Sequence, residues 1–237
     1  MLKTRSKTIP LVSLALILTS GSALAACGSG SSAPSAQSIV STAFKNAAAG
    51  TWVHEVRIAT EPGHRYEAHN VIGTSSGRQA ISVDGEIMSV IVVPGAAYIK
   101  GNEQALVKYF DIKTKHPNSF AGKWIAIKPT DSGYATVRSP VLLATDFQAG
   151  ELLGPLTRGS DVMLDGQNVL PITGHVEGQG NSTAPATLYV TTTGTVLPVE
   201  FKVVSGSVIS RTVWSEWGEA VSIVAPKPTI PVSKIVG

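Results

Sequence analysis

Cysteine is almost absent from this chain of 237 residues: Cys27 is the only one. A lone cysteine excludes an internal disulfide and every zinc site built on paired thiolates. Aromatic residues are scarce at 6%, and charged residues stand at only 15%. Beyond the N-terminus no stretch approaches the roughly 18 apolar residues that a membrane-spanning helix requires. The chain also lacks any Lys/Arg cluster that would mark a nucleic-acid partner.

What is present begins at the N-terminus. Lys3, Arg5 and Lys7 form a short positive region, and a mostly apolar run, Ile9 to Leu18, follows it. Small residues then lead into Leu24–Ala25–Ala26–Cys27. The order is that of a secretory signal, with an apolar run too short to cross a bilayer. Its last four residues match the bacterial lipobox, in which an aliphatic residue and two small ones precede the cysteine that receives a diacylglyceryl thioether. Small residues at the cut let a peptidase reach the backbone, and the thiol is the nucleophile for the lipid. The reading predicts a signal peptide over 1–26 and a lipid-anchored mature chain on the extracytoplasmic face of the cell membrane. One acyl chain anchors marginally, whereas the two of a diacylglyceryl group anchor stably.

Maturation also changes the charge. The formal net charge of +3 rests on 19 Lys and Arg against 16 Asp and Glu. Residues 1–26 hold three of the basic residues and no acidic one, so cleavage leaves a neutral chain. The basic balance is therefore a property of the signal and implies no nucleic-acid partner.

Residues 27–35, rich in Gly and Ser, read as a flexible tether. Ala36 to Ala49 is the first helix: Ser35 or Ser38 caps it, and Ile39, Val40, Ala43, Phe44 and Ala47 fall on one face before Gly50. From Thr51 the period becomes two. Strands are expected near 51–58, 66–74, 78–83, 86–93, 96–100, 124–128, 162–164, 169–176, 186–191, 197–204, 208–214 and 220–224. Asp84–Gly85 and Pro94–Gly95 supply turns between them. A helical turn is expected around Ala105 to Phe110, and a second helix, or two short ones, between Ser139 and Leu153. Pro226, Pro228 and Pro231 predict an extended, mobile tail over 226–237. Residues 36–225 then form one α+β domain, a strongly curved antiparallel half-barrel of about ten or eleven strands. The N-terminal helix and the inserted helical segment cover its concave face.

Several constellations invite chemistry and fail on spacing. Gly73-Thr74-Ser75-Ser76-Gly77 fits the nucleophile-elbow pattern, but alternating residues follow it where a helix is required, so it reads as a hairpin turn. His54, His64 and His69 crowd with Glu55, Glu61 and Glu67, yet no metal-binding spacing occurs among them. Glu86, Asp84 and Asp131 offer no hydrolytic dyad. No cofactor, metal site or catalytic residue is expected, and the chain reads as a non-enzyme. His54 shares a strand face with Trp52, Val56 and Ile58, either as a satisfied core histidine or as a polar group within a ligand cavity. Trp214 and Trp217 line a sugar or lipid site, or else pack as aromatic core.

The arrangement resembles the LolA/LolB-like lipoproteins, nearest the actinobacterial LppX/LprG lipoprotein family. The resemblance rests on the lipobox, Gly95-Ala96-Ala97-Tyr98-Ile99-Lys100-Gly101, Lys123-Trp124-Ile125-Ala126-Ile127, and Thr187-Leu188-Tyr189-Val190 with Leu197-Pro198-Val199. It closes on Trp214-Ser215-Glu216-Trp217-Gly218-Glu219-Ala220-Val221 running into Ala225-Pro226. It implies a half-barrel enclosing an apolar cavity, and a hydrophobic ligand such as a lipid or glycolipid. The expected cavity residues are Phe44, Trp52, His54, Val56 and Ile58. The alternative is an envelope lipoprotein with a filled interior that acts through an envelope protein partner.

Overall fold

The strands of this protein are bonded to their sequence neighbours almost throughout, so local hairpins build nearly the whole sheet. The computed structural model describes residues 33–110, 119–147, 152–177 and 182–235. The signal segment, Leu24–Cys27 and the tether as far as residue 32 lie outside the described residues.

The first element is helix α1, Ala36–Ala48, whose Ser35 side chain accepts a hydrogen bond from the Ser38 amide at 3.2 Å. That cap satisfies one of the amides a helix start leaves open. Strands β1 (Trp52–Glu61), β2 (His64–Gly73), β3 (Gly77–Val83), β4 (Glu86–Val93) and β5 (Ala96–Gly101) follow as an antiparallel meander. Helix α2 (Glu103–Phe110) leads to β6 (Trp124–Ile127). Helix α3 (Tyr134–Arg138), a 3-10 turn (Ser139–Val141) and helix α4 (Leu143–Asp146) form the inserted helical segment. The second meander holds β7 (Leu153–Arg158), β8 (Val162–Leu164), β9 (Gln167–Glu177), β10 (Thr183–Thr191), β11 (Pro198–Ser205) and β12 (Val208–Ser215).

The two meanders join where β12 pairs with β1, giving the order β6-β5-β4-β3-β2-β1-β12-β11-β10-β9-β7. The result is an open, curved, mostly antiparallel half-barrel with helices on one face. Turn chemistry matches the expectation at Asp84–Gly85, where φ is 49° and 87°, values that asparagine, aspartate and glycine tolerate best.

The sequence reading departs from the structure at three places. Leu153–Arg158 is an edge strand rather than a helix end; Pro155 and Gly154 hid it, because both are rare inside strands and tolerated at edges. Residues 220–224 form no strand. After Ser215 the chain leaves the sheet through Glu216 and Gly218, both at positive φ, and the Gly218 amide bonds the Trp52 carbonyl at 2.9 Å. The third departure is the tail. Thr229–Pro231 forms strand β13, paired in parallel with β6, and Ile235 is buried beside Ile125 and Ile127. Its three residues carry too short a pattern to read, and parallel pairing depends on a partner distant in sequence.

Alternation along β1 decides what faces the helices. Val53 packs in the main core with Phe44, Ile72, Leu143, Phe147, Leu188 and Trp214. Glu55 and Arg57 share that face. Glu55 is fully buried, yet its carboxylate is bonded by Arg57 Nε at 2.6 Å and Nη2 at 2.8 Å, by Asn70 Nδ2 at 2.5 Å and by Trp214 Nε1 at 3.0 Å. Four donors replace the water lost on burial, which is how a carboxylate survives in a core. Burial beside this pair raises the Tyr66 phenol above its ordinary value, against the pull of Arg57.

Candidate functional site

The opposite face of the β1–β6 meander is open and bears a groove of about 500 Å³. Strand register fixes its walls as two cross-strand rows. One runs His54, Val71, Arg78, Ile91, Tyr98 through β1 to β5. The next runs Val56, His69, Ala80, Ser89, Lys100. Small side chains at Ala80 and Ser89 make the trough. Val56, Val71 and Ile91 give it apolar surface, and Trp124 closes it. Lys100 holds its Nζ 5.5 Å from the centroid of the Trp124 ring, within the range of a cation–π contact.

Charge around the groove is uneven. His54 Nδ1 lies 3.1 Å from Glu216 Oε2, and its Nε2 is buried with no hydrogen-bond partner. His69 Nε2 lies 2.8 Å from Glu67 Oε1, and Glu67 also takes Arg65 at 2.8 Å. These hydrogen bonds, from Arg65 first and then His69, hold the Glu67 carboxyl below its usual range. Arg78 is exposed, and among the described residues no carboxylate lies within ion-pair distance of it or of Lys100.

The five cavity residues expected from sequence do not converge. Phe44 lies under the helices in the main core, whereas Trp52, His54, Val56 and Ile58 alternate with Val53 and so face the other way. Of these four, His54 and Val56 line the groove. Trp52 lies against Gly73, where an added Cβ would run into its ring. The cause is the Glu55–Arg57 pair. Hydropathy assigns the apolar residues of β1 inward, but mutual bonding makes the two charged residues the inward set. His54 is thus a half-exposed groove residue rather than a core histidine. Arg78, Ala80, Ser89, Ile91 and Trp124 escaped the sequence reading, because only the register shows that they share one trough.

Other expectations find their places. Trp214 is core, with its ring 5.6 Å from Phe147; Trp217 is 5.3 Å from the same ring. Gly73 ends β2 and Gly77 begins β3, so the elbow-like pentapeptide is a hairpin turn. His64 pairs with Asp84 at 2.6 Å, and among the described residues no three His, Cys, Asp or Glu side chains gather as a metal would require. No helix among them is long and apolar enough to cross a membrane.

The helix-covered face is closely packed among the described residues. Val53, Ile72, Leu143, Ile172 and Leu188 are all at most 1% exposed.

The chain is similar to two solved lipoprotein structures. LprF from Mycobacterium bovis matches at 16% identity and a TM-score of 0.52, over 83% of this chain and 99% of that one. The Mycobacterium tuberculosis lipoprotein LppX matches at 14% identity and a TM-score of 0.53, over 80% of this chain and 98% of that one. Identities this low speak for the fold alone, and that fold is the one LprF and LppX share. No protein-family model and no curated protein sequence matches the chain.

Proposed function

We propose that this protein is a lipid-anchored envelope lipoprotein, a non-enzymatic binding module that holds a lipid or similar amphiphile along the open-face groove. Cys27 carries the anchor in this reading, after cleavage behind Leu24–Ala25–Ala26, and residues up to 35 tether the domain. The observation that supports a ligand is the groove itself: about 500 Å³, with Val56, Val71 and Ile91 on its floor and Trp124 at its end. That volume lies within the ordinary range for small-molecule sites of roughly 300–1,000 Å³. An acyl chain laid there leaves water at a gain of about 0.8 kcal/mol per buried methylene. In this reading the binding surface lies away from the helix-covered face, whose described residues pack closely.

The test is native mass spectrometry of the mature chain carrying Cys27→Ser, with extraction of whatever it retains. A bound lipid at one per chain is expected, lost on Ile91→Asp. An empty chain that also fails to take up added lysolipid defeats the proposal.

A protein partner is the second reading. Val204 and Ile209 are 38% and 46% exposed and sit opposite each other on the same open face. Exposed apolar pairs of this kind suit a protein contact. A stoichiometric protein captured through that pair, in a chain that retains no lipid, would favour it.

A further inference from the structure

Arg78 lines the groove read above as a lipid site, and Lys100 stands at its rim with its Nζ 5.5 Å from the centroid of the Trp124 ring, the two on the strands that flank β4. Arg78 is opposite Ile91, and Lys100 is opposite Ser89. Lys100 is thus directly across from Ser89 and Arg78 diagonal to it, and the Ser89 hydroxyl is able both to donate and to accept. The carboxylates nearby are already engaged elsewhere: Glu216 with His54, and Glu67 with His69 and Arg65. Glu55, the one acidic residue among those lining the groove, belongs to the other face and is held by its four donors. Among the described residues, positive charge thus stands without a paired carboxylate beside the apolar stretch of Val56, Val71 and Ile91.

We infer that the groove selects an acyl lipid with an anionic headgroup, the chain lying over Val56, Val71 and Ile91 and the headgroup held between Arg78 and Lys100 above Ser89. The inference rests on the lipid-site reading and adds the charge of its occupant. Charge complementarity argues for it. An arginine fork and a lysine ammonium match phosphate or carboxylate oxygens, whereas a neutral or zwitterionic head would leave both cations without a counter-charge.

The experiment compares three probes on the mature chain carrying Cys27→Ser at low salt: oleoyl-lysophosphatidylglycerol, monoolein of the same chain length, and glycerol phosphate. The anionic lysolipid is expected to bind about tenfold tighter than monoolein, a difference of about 1.4 kcal/mol. That ratio should collapse in Arg78→Gln and in Lys100→Gln, the anionic lysolipid losing more affinity than monoolein does. It should also shrink as salt rises. Equal affinity for the two lipids in the unsubstituted groove overturns the inference and leaves the lipid site standing. A ratio that survives both substitutions overturns the assignment of the headgroup position. Glycerol phosphate competing as well as the lysolipid shows an anion site without a chain, and overturns the lipid occupant. If neither lipid binds, the lipid-site reading itself falls.

Discussion

Glu55 is where a single side chain exerts most leverage. It is wholly buried, and it ties β1 to Asn70 on β2 and to Trp214 on β12, the strands on either side. Glu55→Ala removes the carboxylate that Arg57, Asn70 and Trp214 share. Leaving the buried Asn70 and Trp214 donors unsatisfied costs about 1–3 kcal/mol each, and a shift of the urea midpoint at unchanged slope would show it. Trp214→Phe removes one donor to a charged group, with an expected loss of about 1.5–3 kcal/mol. Acid sensitivity has another source. Asp84 is held below its ordinary value by the Arg65 amide and then by His64, and Glu67 by Arg65 and then by His69. A carboxyl depressed in the folded state contributes stability above its unfolded pKa, near 4, and that contribution disappears as pH falls through the folded value. Stability should therefore hold near pH 6 and decline below about pH 4. Carboxylate titration by NMR should place both midpoints below the ordinary carboxylate range, about 4.

Between strands and helices, close approach sets the tolerances. Gly77 begins β3 under the 3-10 turn, and a Cβ there would run into the Val141 carbonyl and lie 2.7 Å from the Val71 oxygen. Gly77→Ala therefore forces backbone apart and should cost roughly 1–3 kcal/mol in chemical denaturation. Ending the chain at Pro226 deletes β13 and the buried Ile235, with an expected loss of roughly 2–4 kcal/mol. The same elements show what sequence could convey. Local periodicity made α1 and the central meander legible, because Val40, Phe44 and Ala47 repeat at helical spacing and Asp84–Gly85 needs no tertiary context. β13 and β7 were illegible: one depends on a strand a hundred residues earlier, the other hides behind proline. The groove was half legible. His54 and Val56 stood out by their alternation, while Arg78, Ser89 and Trp124 acquire meaning only through pairing. Hydropathy groups Trp52, His54, Val56 and Ile58 with Phe44, whereas the charged pair turns that β1 set to the opposite face.

Taken whole, the molecule divides labour between its faces: helices and a bonded charge cluster fill one, and the other is left to the surroundings. Pro34–Gly237 forms one compact unit, so the proposed anchor should be separable from the fold. Cys27→Ala is expected to move the protein from the membrane to the soluble fraction while its unfolding midpoint stays put. The outer ends of the sheet are short or proline-bearing, and β8, three residues long, shares the β9 side with β7. β13 is three residues long and closes on Pro231, and β7 carries Pro155 and a shift in its register against β9. A newcomer strand meets few consecutive amides at either margin, so copies crowded side by side have no seam along which to zip together. Cropping the chain before Thr229 would bare Trp124–Ile127, and a protein that was self-terminating would then be expected to grow by edge-to-edge accretion at high concentration.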